Sequence, residues 1–303
     1  MQLQPTLGLN WTEWLRKMQT MQLNFRVLQL FKRVIILAIF LLFNCTPEKS
    51  SAKTNSAILL LAILGGSMNS VALPPEDAAD NVVSAPNHTG DGFYDKNKAI
   101  NGVRGSGCCS GSTDVYSLSA TGIGASIVLE WKNKKIVNGA GIDLIVFENP
   151  FNINGNSSAR FMEPLIVEVS RDNIKYCGFF PNYTHTNETV YSNDPSKWLN
   201  FAGKTPVLYN EDTNKIAGND IYDLSKSGGD GFDLDNLSSD NSFSIGCSTT
   251  VVNDILQNGF YYIRLTSATD RVNPDSGVKF PKDSGAFDGS DIDGVFARYR
   301  SLR

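Results

Sequence analysis

Six short runs constrain this chain more than any other feature: Ile127–Trp131, Ile142–Phe147, Leu165–Ser170, Tyr176–Phe180, Phe260–Thr266 and Gly294–Tyr299. They are rich in β-branched and aromatic residues and are bounded by Gly, Asn, Asp and Pro, the pattern of short strands separated by tight turns. Leu165, Val167 and Val169 alternate with Ile166, Glu168 and Ser170, which predicts a strand with one face partly wet. Strong amphipathic helices are missing, and Thr250–Leu256 is the one short helix expected. Many strands, few helices and turn-rich connections predict an all-β fold, a single β-sandwich of the jelly-roll kind. Two long loops, 181–205 and 209–242, are where such a scaffold would carry function.

The N-terminus is of a different character. Arg26, Lys32 and Arg33 precede an apolar run of ten residues, Val34–Phe43. That run is shorter than the roughly 20 apolar residues a spanning helix needs, and it fits the h-region of an export signal. Leu41-Leu42-Phe43-Asn44-Cys45 follows, and it is similar to a bacterial lipobox, in which the Cys is acylated and becomes the new N-terminus. Phe43 and Asn44 depart from the small residues usual there. Residues 1–44 are therefore expected to be a signal peptide. Met18 and Met21 lie closer to the signal than Met1, so residues 1–20 read as an over-extended gene start. Residues 45–81 read as a lipid-anchored flexible tether, polar at TPEKSSAKTNS, with a second apolar run at Ala57–Leu64 too short to cross a bilayer. The folded body is expected over 82–303.

Charge narrows the choice of partners. The chain carries 27 Lys and Arg against 31 Asp and Glu. Without the first 44 residues, which hold five of the bases and one acid, the balance is 22 to 30, a net −8. A body that acidic repels phosphate backbones, so nucleic acid is not an expected partner. Cations, neutral sugars and basic protein surfaces suit it better.

Four cysteines remain after Cys45: Cys108, Cys109, Cys177 and Cys247. An even number in an exported chain predicts disulfides. Neighbouring cysteines seldom bond to each other, so the expected arrangement is two bridges from Cys108 and Cys109 to Cys177 and Cys247, in either pairing.

Two related acidic turns are the most informative polar feature. They are Gly229-Asp230-Gly231-Phe232-Asp233-Leu234-Asp235-Asn236-Leu237 and Ala286-Phe287-Asp288-Gly289-Ser290-Asp291-Ile292-Asp293-Gly294-Val295. In extended chain, residues two apart share a face, which would set Asp233 beside Asp235 and Asp291 beside Asp293. Clustered carboxylates need a cation or hydrogen bonds to offset their repulsion, and calcium favours oxygen ligands on flexible loops. Asp230, Asp233, Asp235, Asp288, Asp291 and Asp293 are thus candidate calcium ligands. Asp beside Gly is equally the chemistry of a tight turn, and neither turn has EF-hand spacing. Glu148 and Asn149 end a strand and open a loop; they are candidate ligand-binding groups or acceptors for strand-end backbone. Trp198, Tyr183 and Tyr191 in the first long loop could stack on sugar rings or anchor the loop. Phosphate-loop and nucleophile-elbow motifs are absent from the sequence, and no catalytic residue is expected.

Several stretches come in a distinctive order: Asp114–Leu118, Gly141–Phe151, Glu163-Pro164 with Val167–Ser170, Gly228–Leu234 and Phe287–Val295. Together they resemble a family of bacterial cell-surface proteins that includes leptospiral lipoproteins, over roughly residues 82–300. Tyr116 and Ala120 depart from the Asp-Val-Leu-Ser-Leu-Gly usual in that family. The resemblance implies a surface location and a β fold, and no particular activity. A fainter similarity, to discoidin-type, galactose-binding-like jelly rolls, rests on Ala99–Gly102, Glu168–Asp172 and Tyr262–Leu265. It implies a binding module.

The resulting expectation is a lipoprotein on the outer membrane or cell surface, held to the membrane by the lipid on Cys45. Its body would be a non-catalytic module, calcium-assisted, for an extracellular glycan or a host matrix protein. The rival expectations are a carboxylate-dependent glycan hydrolase and a purely structural envelope lipoprotein.

Overall fold

The computed structural model describes residues 77–89, 92–119, 125–269, 271–283 and 289–303. The expected signal segment, Cys45, the expected tether up to residue 76 and Asp288 lie outside the described residues. The described chain is mostly β with few helices.

Nine strands form its two main sheets: β1 (Asn81–Ser84), β2 (Ser126–Glu130), β3 (Leu144–Phe147), β4 (Leu165–Ser170), β5 (Tyr176–Gly178), β6 (Phe201–Ala202), β7 (Asp230–Phe232), β8 (Tyr262–Ser267) and β9 (Gly294–Ala297). Every pairing is antiparallel. The larger sheet runs β1-β2-β8-β4, and β4 then pairs with β6 at one end and β5 at the other. The smaller sheet has β3 between β7 and β9. All six strand segments expected from sequence are present, and the helix runs Thr249–Asn258. Ser248 starts that helix by accepting the Val251 N–H, and Gly259, at φ +75°, ends it.

Register explains the burial. Leu265 stands opposite both Ile127 and Val167, and Ile263 opposite both Leu129 and Val169. These rows share one hydrophobic cluster with Leu144, Val146, Phe232, Val295 and Ala297 of the smaller sheet. The alternate residues Ile145, Phe147 and Phe296 belong to a second cluster with Val207, Tyr209 and Ile221. The smaller sheet is thus apolar on both faces, which is why Leu144–Phe147 reads as a continuous apolar run.

The expected wet face of β4 is not found, since all six of its residues are buried. Glu168 is fully buried, and Arg264 directly opposite donates to it from Nε and Nη2 at 2.8 Å each. Ser244 adds a third bond at 3.0 Å. The Arg264 guanidinium also lies 3.9 Å from the Tyr176 ring centroid. A carboxylate satisfied in this way can be buried where an unpaired one could not.

Residues just ahead of Val82 are hydrogen-bonded into the fold. Ala297 N–H and Trp131 Nε1 both donate to the Asp77 carbonyl, at 2.9 and 2.8 Å, and Ala79 N–H donates to Val295 at 2.9 Å. The long loop 181–205 is held by aromatic packing. Tyr183 and Trp198 are buried with ring centroids 4.2 Å apart, and Trp198 Nε1 donates to Ser192. These rings, with Tyr191 packed against their cluster, anchor the loop and are not an exposed sugar platform.

The expected disulfide pairing is corrected. Cys177 bonds Cys247 across 70 residues, tying β5 to the segment ahead of the helix, and Cys108 bonds Cys109. Cys177 and Cys247 meet in the core, whereas Cys108 and Cys109 sit on an exposed loop. That loop is fastened elsewhere, by Gly107 N–H to Val207 and by Asn152 N–H to the Cys108 carbonyl. The two bridges should therefore differ in accessibility. Brief treatment of the native chain with a dithiol, then alkylation and peptide mass mapping, should label Cys108 and Cys109 well before Cys177 and Cys247. Equal labelling of all four would contradict this arrangement.

Candidate functional site

The acids gather where strand β3 ends. Its C-terminal end meets the N-terminal ends of its neighbours, because Val146 pairs with Asp230 and Phe147 with Gly294. Glu148, Asp230, Asp293 and Asp291 are therefore brought to one end of one sheet by antiparallel pairing alone. Glu148 and Asp291 share one local arrangement, and Asp230 and Asp293 each belong to another.

Glu148 is 2% exposed. Its Oε1 accepts the Asp291 N–H at 2.8 Å, while Oε2 is buried with no hydrogen-bond partner. Burial first, then the Glu163 and Asp291 charges, push Glu148 well above the ordinary carboxylate range. Glu163 Oε1 accepts the Gly289 N–H at 2.8 Å. Asn149 Nδ2 donates to the Ser112 carbonyl at 3.0 Å and to Asp291 Oδ2 at 3.1 Å, and its Oδ1 accepts the Ser112 N–H. Asn149 thus clamps the disulfide-bearing loop to the second acidic turn.

Asp293 belongs to another group. Both its oxygens accept the Arg104 N–H, at 3.0 Å each. Burial pushes its carboxyl up to about 8, with the Asp114 and Glu211 charges adding to the rise. The Arg104 side chain in turn bonds Asp114, Asp212 and the carbonyls of Asn101 and Gly102. This arrangement is an ion network that fastens the 101–104 loop.

The first acidic turn is not extended past Phe232. Leu234–Asn236 form a 3-10 turn, so Asp233 and Asp235 do not share a strand face. Asp233 caps that turn by accepting the Asp235 N–H at 3.0 Å, and Asp235 accepts from Asn138 Nδ2 at 2.8 Å. Asp230 holds the Lys204–Thr205 loop, accepting from Lys204 N–H at 2.8 Å and Thr205 Oγ1 at 2.9 Å. Asp143, buried at the opposite end of β3, accepts Gly139 and Leu234 N–H groups at 2.8 Å each, and burial pushes it up to about 6. Three of the six acids read as calcium candidates, Asp230, Asp233 and Asp293, are thus engaged with backbone donors, and Asp235 and Asp291 with side chains. Among the described residues, no three His, Cys, Asp or Glu side chains form a ready metal-ligand set.

Beside β7 lies a small pocket of about 120 Å³. It is lined by the nearly buried Phe179 and Phe232, with ring centroids 4.7 Å apart, and by Asn200, Lys204, Asp230, Asp233 and Asn236. Of these, Asp230 and Asp233 stand out in the sequence. Lys204 and Asn200 lie in a loop with no motif, and topology alone brings them beside β7.

The carboxyl of Asp293 has a pH consequence. An acid whose pKa is raised by folding favours the fold in its protonated form. That contribution is complete below the unfolded value of 3.8 and is lost as pH rises through about 8. Compared with Asp293→Asn, which keeps an acceptor for the Arg104 N–H, the wild type should lose unfolding free energy between pH of about 4 and 8. Denaturant titrations at fixed pH measure the difference, and a constant gap between the two proteins would contradict it. Comparison with protein-family models, with curated proteins and with solved structures finds no match to this chain.

Proposed function

We propose that this chain is a lipid-anchored surface protein whose β body is a jelly-roll sandwich that binds an extracellular glycan without transforming it. The pocket beside β7 carries the reading. A sugar ring offers an apolar face and a rim of hydroxyls; the pocket lining combines two phenylalanines with carboxylate, amide and lysine residues. Its volume of about 120 Å³ is below the roughly 300–1,000 Å³ of ordinary ligand pockets, so it would take only the tip of a glycan chain. The net acidity of the mature chain favours a neutral or basic glycan over a sulfated one.

Binding is favoured over hydrolysis by access. A glycosidase needs two carboxyl groups lining an open cleft, one with a raised pKa. Of the two acids that line the pocket, Asp230 is buried and holds the Lys204–Thr205 loop, and Asp233 caps the Leu234–Asn236 turn, so neither is free to act as acid or nucleophile.

A glycan array probed with the chain as exported should show binding. Lys204→Met or Asn236→Ala should weaken it about 10- to 100-fold, as the loss of a polar contact at a binding site does. An array without signal, or variants that bind unchanged, would remove the pocket reading; turnover of a bound glycan would replace it with the hydrolase. For the anchor, palmitate should label the wild type in cells and leave Cys45→Ala unlabelled. A Cys45→Ala chain that still takes up label would exclude this lipidation site.

A further inference from the structure

The larger sheet ends on a single row of residues. Asn81 stands opposite Glu130, Glu130 opposite Tyr262, Tyr262 opposite Ser170, and Ser170 opposite Tyr176. β1, β8 and β5 begin on that row, and β2 and β4 end on it. With neighbouring strands about 4.8 Å apart, the row is roughly 20 Å long. Among the described residues the three most exposed large apolar side chains are Leu302, Ile174 and Ile245, at 83, 72 and 67%. All three belong to this end. Ile174 lies in the turn between β4 and β5, the Ile245 carbonyl accepts the Tyr176 N–H at 2.9 Å, and Leu302 pairs with Lys134 just past β2. Side chains this exposed add nothing to a core, and three gathered at one end mark a contact surface.

Bases and tyrosines stand among them. The Arg303 guanidinium lies 4.3 Å from the Tyr261 ring centroid, and Arg171 lies 5.8 Å from the same ring. Lys132 and Lys175 are exposed in the adjoining turns. The acids of this end are engaged. Glu130 takes Asn81 and Arg303, Asp254 takes Arg171, Asp80 the Lys132 N–H, and Asp172 the Ile174 and Lys175 N–H groups. The backbone also enters the body here, since the Asp77 carbonyl accepts from Trp131 Nε1 directly ahead of β1. A membrane holding the chain ahead of Asp77 would meet this end.

We propose that this end of the larger sheet rests on the anionic headgroup interface of a membrane, with Leu302, Ile174 and Ile245 entering the boundary between headgroups and acyl chains and Lys132, Lys175 and Arg303 meeting lipid phosphates. Aliphatic tips, tyrosines and bases together are the chemistry that such an interface selects. The proposal rests on the membrane-anchored reading for which surface is met. It is independent of the sugar pocket and stands if that pocket binds nothing.

The test floats the chain as exported with vesicles of phosphatidylcholine containing phosphatidylglycerol, then reads side-chain exposure by hydroxyl-radical footprinting. On the vesicles, oxidation of Leu302, Ile174 and Ile245 should fall about fivefold or more against the chain in solution. Val272, exposed beyond the far end of β8, should keep its solution value. Lys132→Glu with Lys175→Glu changes two exposed positions that the fold tolerates. It should return the three side chains to near their solution exposure, since each base contributes about fivefold to association with an anionic surface. A chain that does not float, three side chains that stay exposed on a floated chain, or an equal fall at Val272 would overturn the proposal. So would protection that appears without vesicles as protein concentration rises, which would make a second copy the occupant. Palmitate labelling reports the anchor separately. A labelled chain whose three side chains stay exposed keeps its lipid and loses this contact; an unlabelled chain that floats with them protected keeps the contact and loses the lipid.

Discussion

The fold depends on a four-residue strand buried on both sides. Leu144 and Val146 face the cluster shared with the larger sheet, while Ile145 and Phe147 face Tyr209, Phe296 and the loops behind. Each such side chain contributes about 1.5–3 kcal/mol by leaving water, against a typical total margin of about 5–15 kcal/mol. The strand also sets the chemistry. With no wet face, its polar neighbours can appear only at its ends, where Asp143 precedes it and Glu148 and Asn149 follow. Antiparallel pairing then carries the acids flanking β7 and β9 to those same ends.

Burial decides how those acids behave. Asp143, Asp230 and Asp293 are desolvated, yet each is met by backbone N–H groups, so each works as a fastener for a loop. Glu148 differs in having one oxygen met and the other bare. Desolvation without compensation is costly, and that bare oxygen sets Glu148 apart from the acids that fasten loops.

Much of the architecture was legible in the sequence, because strands announce themselves through β-branched and aromatic runs. Leu165–Ser170 is a strand with the expected bounds. The wetness of its second face was misread because Glu168 gives no sign in sequence of Arg264, which lies 96 residues on. Strands of two or three residues, such as Phe201–Ala202 and Asp230–Phe232, carry too little pattern to be seen. The acidic turns were visible as composition but not as geometry: the bend at Leu234–Asn236 separates aspartates that an extended chain would have aligned. Cys108–Cys109 was missed because the pairing follows from where the core places Cys177 and Cys247. Glu163, Gly203 and Lys204 lie in connections that only the folded topology brings beside β3 and β7.

The segment from Asp77 to Ser84 joins the two sheets in turn. Ala78 bridges to Phe296 of β9, and a few residues later Val82 pairs with Leu129 of β2. Tension arriving along the backbone ahead of Asp77 would therefore load both sheets together, with the Trp131 indole and the Arg300 guanidinium gripping Asp77 itself. If the chain is held by its N-terminal side, as proposed, drag would be met as shear across several hydrogen bonds at once, and the point of load would be where the β body is mechanically reinforced.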